Sequence, residues 1–233
     1  MPLGASRAGL MSVAGDDIPD ELEHQWDTRE SNVSDGTIES VPDQIGDIDL
    51  TAENGPDFVE GGLNGEDVAV LNGSDQAFSY EFPETFQRPA TMFFVISHND
   101  KGGSNQVWRD ENVSGNRNEF RLRPDDGETD TFVCGPSDTD VSEAPTGDQI
   151  WTIAIDDDSE VVWRLNGSVI KTDDDASDSD VLADAVFGNR PDLDQGFDGA
   201  FAEVAVAGER LEDSDISQYE EQLESDWGMD VLS

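Results

Sequence analysis

The segment His98-Asn-Asp-Lys-Gly-Gly-Ser-Asn-Gln-Val-Trp-Arg109 gathers an aromatic ring, side-chain amides and both kinds of cation directly after an apolar run. Aromatic faces stack on sugar rings, amides satisfy hydroxyls, and loops on a rigid scaffold are where binding groups concentrate. Arg109, Arg117, Arg121 and Arg123 place four of the chain's 12 cations in the same neighbourhood. On an acidic chain such a patch suits an anionic glycan or the carboxylates of a neighbouring subunit. The residues expected to bind are His98, Asn99, Asp100, Asn105, Trp108, Arg109, Arg121 and Arg123. The plainer reading of the same residues is a core tryptophan and ordinary ion pairs.

Other chemistries are less well provided for. Retaining glycoside hydrolysis needs two carboxyl groups about 5 Å apart, which strand alternation can supply. The nearest run is Gly46-Asp-Ile-Asp-Leu-Thr-Ala-Glu53, whose spacing to Glu53 is wrong; among 55 acids, chance pairs are certain. His24 and His98 are the only histidines, and neither adjoins a serine or cysteine motif. A non-enzymatic chain is therefore expected. Asp156-Asp-Asp-Ser-Glu160 and Asp173-Asp-Asp-Ala-Ser-Asp-Ser-Asp180 offer oxygen ligands, but lack the glycine and terminal glutamate of an EF-hand loop. No cofactor is expected to be required, with Ca²⁺ or another hard cation as the one candidate. Asn-x-Ser triplets occur at Asn32, Asn72, Asn112 and Asn166, a pattern that also arises by chance.

The elements that must position these groups read as strands. Val68–Leu71, Ala77–Phe82, Thr91–Ser97, Glu119–Arg123, Thr131–Cys134, Gln149–Ile155, Val161–Leu165 and Phe201–Val206 are short and rich in aromatic or β-branched residues. Gly, Asn, Asp and Pro clusters bound them, as in a sandwich or barrel. Phe78, Tyr80 and Phe82 point one way while Ser79 and Glu81 point the other; Thr91–Ile96 is continuously apolar and predicts a strand buried on both faces. Asn166-Gly167 between apolar runs predicts a type I′ hairpin, and Leu71-Asn72-Gly73-Ser74 a second tight turn. One helix is expected near the C-terminus, capped by Asp213 or Ser214. Ile216, Tyr219, Leu223 and Trp227 form its apolar face, Glu220, Glu221 and Glu224 its polar face, and Gly228 its stop. Trp26, Trp151, Trp163 and Trp227 are assigned to packing.

The formal charge is −43, yet hydrophobic residues make up 35% of the chain and its 11 Phe and 5 Trp are spread along it. That combination is a folded body with an acidic surface rather than a disordered chain. Self-repulsion at this charge destabilises a compact state. The Debye length falls from about 10 Å at 0.1 M salt to about 3 Å at 1 M, so molar salt makes such a surface tolerable. Lys101 and Lys171 are the only lysines beside ten arginines. A halophilic source is expected, archaeal or a virus of such a host. Nucleic acid is excluded as a partner, because phosphate binding needs a basic surface. No run has the length of a membrane span. The single cysteine, Cys134, permits no internal disulfide and reads as a small buried residue.

Residues 1–15 hold Arg7 and no acid. An acid-free stretch on so acidic a chain is expected to be sheltered, as a docking arm with Pro2, Leu3, Arg7, Leu10 and Met11 in contact, although termini are often simply disordered. The expected division is an arm at 1–19 and one domain at 20–233. The start shows no signal-peptide core, which fits release by lysis better than secretion.

Several stretches resemble the laminin-G-like, concanavalin-A-like jelly rolls. Val33–Leu50 followed by Gly62-Leu-Asn-Gly-Glu-Asp-Val-Ala-Val-Leu-Asn-Gly73 resembles the family's opening, with Val41 where a tryptophan is usual and Leu71 for a phenylalanine. Val161–Ile170 resembles its Asn-Gly hairpin, and Phe197 to Gly208, Arg210-Leu211 and the run to Asp226-Trp-Gly228 its closing strand and helix. The resemblance covers about residues 20–233. It implies an all-β, two-sheet antiparallel sandwich with one C-terminal helix, and leaves function open among lectins, polysaccharide-binding modules, glycosidases and virion spikes. Glycosidases of this fold carry a Glu-x-Asp-x-(x)-Glu run that this chain lacks, and a rim Ca²⁺ site is implied by the resemblance alone. The arm is similar to the openings of tail or fibre proteins of tailed viruses. Together these lead to the expectation of a virion turret, spike or fibre protein. It would form a homo-oligomer, contact other virion proteins and bind host-surface glycans; the alternative is a carbohydrate-binding module of a halophile's surface or secreted protein.

Overall fold

The computed structural model describes residues 19–80, 89–99, 105–110, 118–122, 130–134, 137–141, 146–157, 160–173, 185–189, 192–193 and 195–232. In chain order its strands are β1 (Leu22–Asp27), β2 (Asn32–Ser34), β3 (Thr37–Val41), β4 (Leu50–Glu53), β5 (Asp57–Leu63), β6 (Glu66–Asn72), β7 (Ala77–Tyr80) and β8 (Ala90–His98). These are followed by β9 (Asn105–Asp110), β10 (Asn118–Leu122), β11 (Asp130–Cys134), β12 (Ser137–Val141), β13 (Gly147–Ile155), β14 (Val161–Leu165), β15 (Ser168–Asp173), β16 (Ala185–Phe187) and β17 (Asp198–Ala207). Among the described residues one α-helix, α1 (Asp213–Asp226), follows.

Every pairing is antiparallel, and the strands form two sheets. In the first, β17 lies between β8 and, on its other side, β6 at one end and β1 at the other; β5 extends it past β6, and β13, β14 and β15 past β8. The second runs β2, β3, β4, β7, β16, β9, β10, β11, β12. The sheets meet at one margin, where Thr37 bridges Asp57 and Trp26 bridges Asp43. This is the expected jelly-roll sandwich.

Strand β8 shows why its sequence has no polar beat. Met92, Phe94 and Ile96 enter the core between the sheets, while Phe93 and Val95 enter a second core beneath α1. Trp26, Trp151 and Trp163 fill the first core and Trp227 the second, as expected. Phe78 and Tyr80 also enter the first; Phe82 lies outside the described residues.

Asn166 (φ 50°) and Gly167 (φ 81°) both take positive φ between β14 and β15, the type I′ geometry. Asp35-Gly36 and Asn64-Gly65 make the same kind of turn between β2 and β3 and between β5 and β6. The helix ends in a Schellman motif, with Gly228 at φ 56°, the Met229 N–H on Glu224 O at 2.9 Å and the Gly228 N–H on Ser225 O at 3.3 Å. Its start differs from expectation. Glu212 occupies the cap position without a side-chain bond, and its carbonyl receives the Asp215 and Ile216 N–H groups.

Candidate functional site

The two outer faces of the sandwich are built differently. α1 covers the first sheet, and two buried acids trapped beneath it are paired. Glu220, expected on the polar face of the helix, is 1% exposed. It receives Thr152 Oγ1 at 2.7 Å, Arg164 Nε at 3.0 Å and Arg164 Nη2 at 2.8 Å. Arg164 Nη2 also donates to Gly167 O and Ser217 Oγ. Position 220 borders the Ile216–Tyr219–Leu223 stripe, so a strand that offers Arg164 draws it inward.

Glu203 on β17 lies in the same layer. It accepts Gln25 Nε2 at 2.7 Å, Tyr219 OH at 3.2 Å and Trp227 Nε1 at 2.8 Å. Burial, then the nearby Asp27 carboxylate, push its carboxyl up to about 7, against the hydrogen bonds and Arg29. Burial and the Glu203 charge raise the Tyr219 phenol well above its ordinary range. Arg29 grips Asp27 through Nε and Nη2 and lies 4.3 Å over the Trp227 ring.

On the second sheet, residues facing outward pair in one lateral row. Asn32 is opposite Ser40, Ser40 opposite Thr51, Thr51 opposite Ser79, Ser79 opposite Val186, and Val186 opposite Arg109. Alternation sets their direction, since the neighbouring Leu50, Phe78, Tyr80, Phe187 and Trp108 all enter the core. Asn32 Nδ2 donates to Ser40 Oγ at 2.8 Å, and Ser79 Oγ to Glu53 Oε1 at 2.9 Å. Asn32 and Thr51 are exposed, Ser40, Ser79 and Arg109 half-buried, and Val186 buried. At about 4.8 Å per strand, the row from Ser40 to Arg109 spans about 19 Å. It presents hydroxyls and an amide, with a cation at one end and the Glu53 carboxylate beside it.

The expected binding residues divide among three places. His98 and Asn99 lie at one end of the sandwich, where Asn99 N–H and Nδ2 reach Asp198 O and Oδ1 at 3.0 and 3.1 Å. Asn105 joins that end by pairing with Leu122, and Arg121 pairs with Gln106. The same end is tied by Gly73 to Phe197, Phe197 to Gly188 and Gln106 to Gln195 backbone bonds, and by buried Asn189, which donates to Ser74 O. Arg109 is on the lateral row. Trp108 is in the core at 0% exposure, opposite Phe120 and Phe187. Its ring has no face for a sugar, which corrects its assignment as a stacking platform. The His98 ring is likewise buried and stacked on Phe197, with centroids 5.6 Å apart. Asp100, Arg117, Asn112, Arg123 and the arm residues Pro2, Leu3, Arg7, Leu10 and Met11 lie outside the described residues, as do the side chains of Asn105, Arg121 and Cys134.

The run Gly46–Glu53 does not make a carboxylate pair on one strand face. Its first half is a loop organised by Asp43, whose carboxylate accepts His24 Nδ1 at 2.6 Å and the N–H groups of Gln25, Ile45, Gly46 and Ile48. Burial alone would raise the Asp43 carboxyl, but the bonds from His24 and these amides hold it below its ordinary value. Asp156 and Glu160, considered as cation ligands, lie 3.5 and 2.9 Å from Arg210. Among the described residues, no group of three His, Cys, Asp or Glu side chains could hold a metal ion; Asp158, Ser159, the Asp173 side chain and the run 174–180 lie outside them.

No protein-family model and no curated protein matches the chain. Solved structures do. Domain 4 of AbnA, a GH43 extracellular arabinanase from Geobacillus stearothermophilus in complex with arabinotriose, is 15% identical with a TM-score of 0.62 over 84% of this chain and 97% of that domain. A Trypanosoma rangeli sialidase is 10% identical with a TM-score of 0.64 over 88% of this chain. A botulinum neurotoxin type C structure, whose description concerns interaction with two ganglioside molecules, is 12% identical with a TM-score of 0.62 over 88% of this chain. The chain spans 33% of the sialidase and 52% of the neurotoxin chain. At such identity the likeness carries the fold alone. It overturns the expectation of a non-enzymatic chain, because this sandwich occurs within sialidase and arabinanase chains and gives no ground for excluding catalysis. The chain thus shares its β-sandwich with segments of carbohydrate-active and ganglioside-binding proteins.

Proposed function

We propose that the outer face of the second sheet binds an oligosaccharide. The observation that carries this is the lateral row Asn32, Ser40, Thr51, Ser79 and Arg109. It sets hydroxyl and amide groups side by side, with a guanidinium at one end beyond the buried Val186, on strands whose other face is locked in the core. A sheet face needs little ordering on binding, and its breadth suits a short chain of sugars rather than one ring. The arabinotriose complex of a domain with this sandwich and the ganglioside interaction of another support the reading.

Titration calorimetry with a panel of neutral and acidic oligosaccharides in about 3 M KCl tests it. One class should bind, and Arg109→Gln should weaken it roughly tenfold, as loss of a charged hydrogen bond does. Equal affinity for wild type and Arg109→Gln, or no binding across the panel, would remove the proposal. Binding is proposed to need no cofactor, so EDTA should leave it unchanged. Reading the same panel for released reducing ends measures hydrolysis directly.

The acid-free residues 1–15 favour a finer assignment, in which the sandwich is a virion turret, spike or fibre subunit of a halophile's virus and presents this face to host glycans. Light scattering in about 3 M salt on the full chain and on one lacking residues 1–15 separates the alternatives. An oligomer that falls to monomer on truncation supports the virion reading. Monomers in both cases favour a free carbohydrate-binding module at a halophile's surface.

A further inference from the structure

Three of the four Asn-x-Ser triplets fall in described parts of the molecule, and two of them, Asn72-Gly73-Ser74 and Asn166-Gly167-Ser168, are identical in sequence and opposite in setting. Asn166 is half-buried in its hairpin turn. Its Oδ1 accepts the Ile150 N–H at 2.8 Å, and its own N–H donates to Ile150 O at 2.8 Å. Leu232 from the C-terminal segment packs against the turn, 3.2 Å from where a Cβ on Gly167 would sit. The side chain is stitched to the neighbouring strand β13.

Asn72 is exposed at the end of β6, where the chain leaves the first sheet. Its Oδ1 accepts the Ser74 N–H at 2.9 Å, closing an Asx turn over Gly73 at φ 72°. Its Nδ2 makes only a long surface contact with Asp75 Oδ1, at 3.3 Å. The turn therefore holds Oδ1 to the Ser74 backbone, while Asn72 as a residue stays exposed. Asn32 is also exposed, but β2 holds it extended and its Nδ2 bonds Ser40 Oγ at 2.8 Å.

We propose that Asn72 is an N-glycan acceptor and Asn166 is not. The donor class is an oligosaccharide joined through its anomeric carbon to a polyprenyl phosphate or pyrophosphate, used by a membrane transferase. Nδ2 attacks that carbon and forms the C–N bond. The C–O bond to phosphate breaks, the lipid phosphate leaves with the bonding pair, and the amide proton passes to a base of the transferase. No oxidant or reductant is needed. The inference concerns the Asn72 side chain and does not depend on what the lateral row binds.

The test is to express the full chain with a secretion signal added ahead of Met1 in a haloarchaeal host that N-glycosylates, beside a reporter protein of known glycosylation, and to analyse Glu-C peptides by mass spectrometry. The Asn72 peptide should carry the host glycan, the Asn32 peptide less of it, and the Asn166 peptide none. Ser74→Ala should strip Asn72 and Ser74→Thr should retain it, with unchanged circular dichroism in both. A bare Asn72 beside a glycosylated reporter would overturn the proposal. Equal occupancy at Asn72 and Asn166 would do so too, since local structure would then not select the acceptor.

Discussion

The outer faces of the two sheets solve opposite problems. Beneath α1, charged groups have been taken out of water and must satisfy one another. Arg164, Glu220 and Thr152 form one closed set, and Glu203 with Gln25, Tyr219 and Trp227 another. Across the second sheet, Asn32, Ser40, Thr51 and Ser79 are short, uncharged and only lightly bonded. Burying charge makes a face dependent on each partner, whereas a row of small polar groups can change without cost to the fold. The first face is therefore expected to fail when altered, and the second to lose only binding.

The largest effect should come from Glu220→Ala, which leaves Arg164 charged and buried without its carboxylate. A loss of about 3–5 kcal/mol in denaturant unfolding is expected. Replacing both partners, Arg164→Met with Glu220→Leu, should recover most of it; if the double variant is no better than the single one, packing rather than charge holds the helix.

Glu203 gives the next effect, through pH. Its carboxyl titrates near 7 in the folded protein, above the ordinary 4.5, so the native state holds the proton more tightly than the unfolded chain. Its contribution is fully present below about 4.5, is lost as pH rises through about 7, and amounts to roughly 3 kcal/mol. In molar salt, where general repulsion is screened, Glu203→Gln should flatten the fall in stability between those pH values. An unchanged slope would mean that Glu203 is charged in its site throughout.

Gly228→Ala places a side chain at φ 56° in the Schellman turn and should cost about 1 kcal/mol. The smallest effect is expected from Ser79→Ala on the other sheet. It should leave stability within about 0.5 kcal/mol of wild type while lowering affinity for the bound oligosaccharide. A large loss of stability there would erase the contrast between the faces.

Much of this architecture was legible in the amino-acid order. Alternation gave the inward Phe78 and Tyr80 and the outward Ser79, Asn166-Gly167 gave its hairpin, and the unbroken run to Ile96 gave a strand covered on both sides. The site was harder, for a physical reason. The lateral row joins residues as far apart as Thr51, Ser79, Arg109 and Val186, and only long-range register brings them together. Trp108 was misplaced because residues 98–109 read as one loop, whereas residues 105–110 form β9 and pairing with Phe120 and Phe187 turns the ring to the core. Glu203 and Glu220 are hidden by abundance, since nothing in residue type separates two buried acids from the other acids of a chain with 55. Arg164 was the available hint, a cation inside an otherwise apolar strand that needs a buried partner.

The most direct test is to follow backbone amide shifts by NMR while titrating the best-binding oligosaccharide in about 3 M KCl. Changes centred on Ser40, Thr51, Ser79 and Arg109, with Phe93, Tyr219 and Leu223 unmoved, are the expected result. Changes centred instead on Asn99 and Asp198 at the end of the sandwich, or on α1, would contradict the assignment of the second sheet as the binding face.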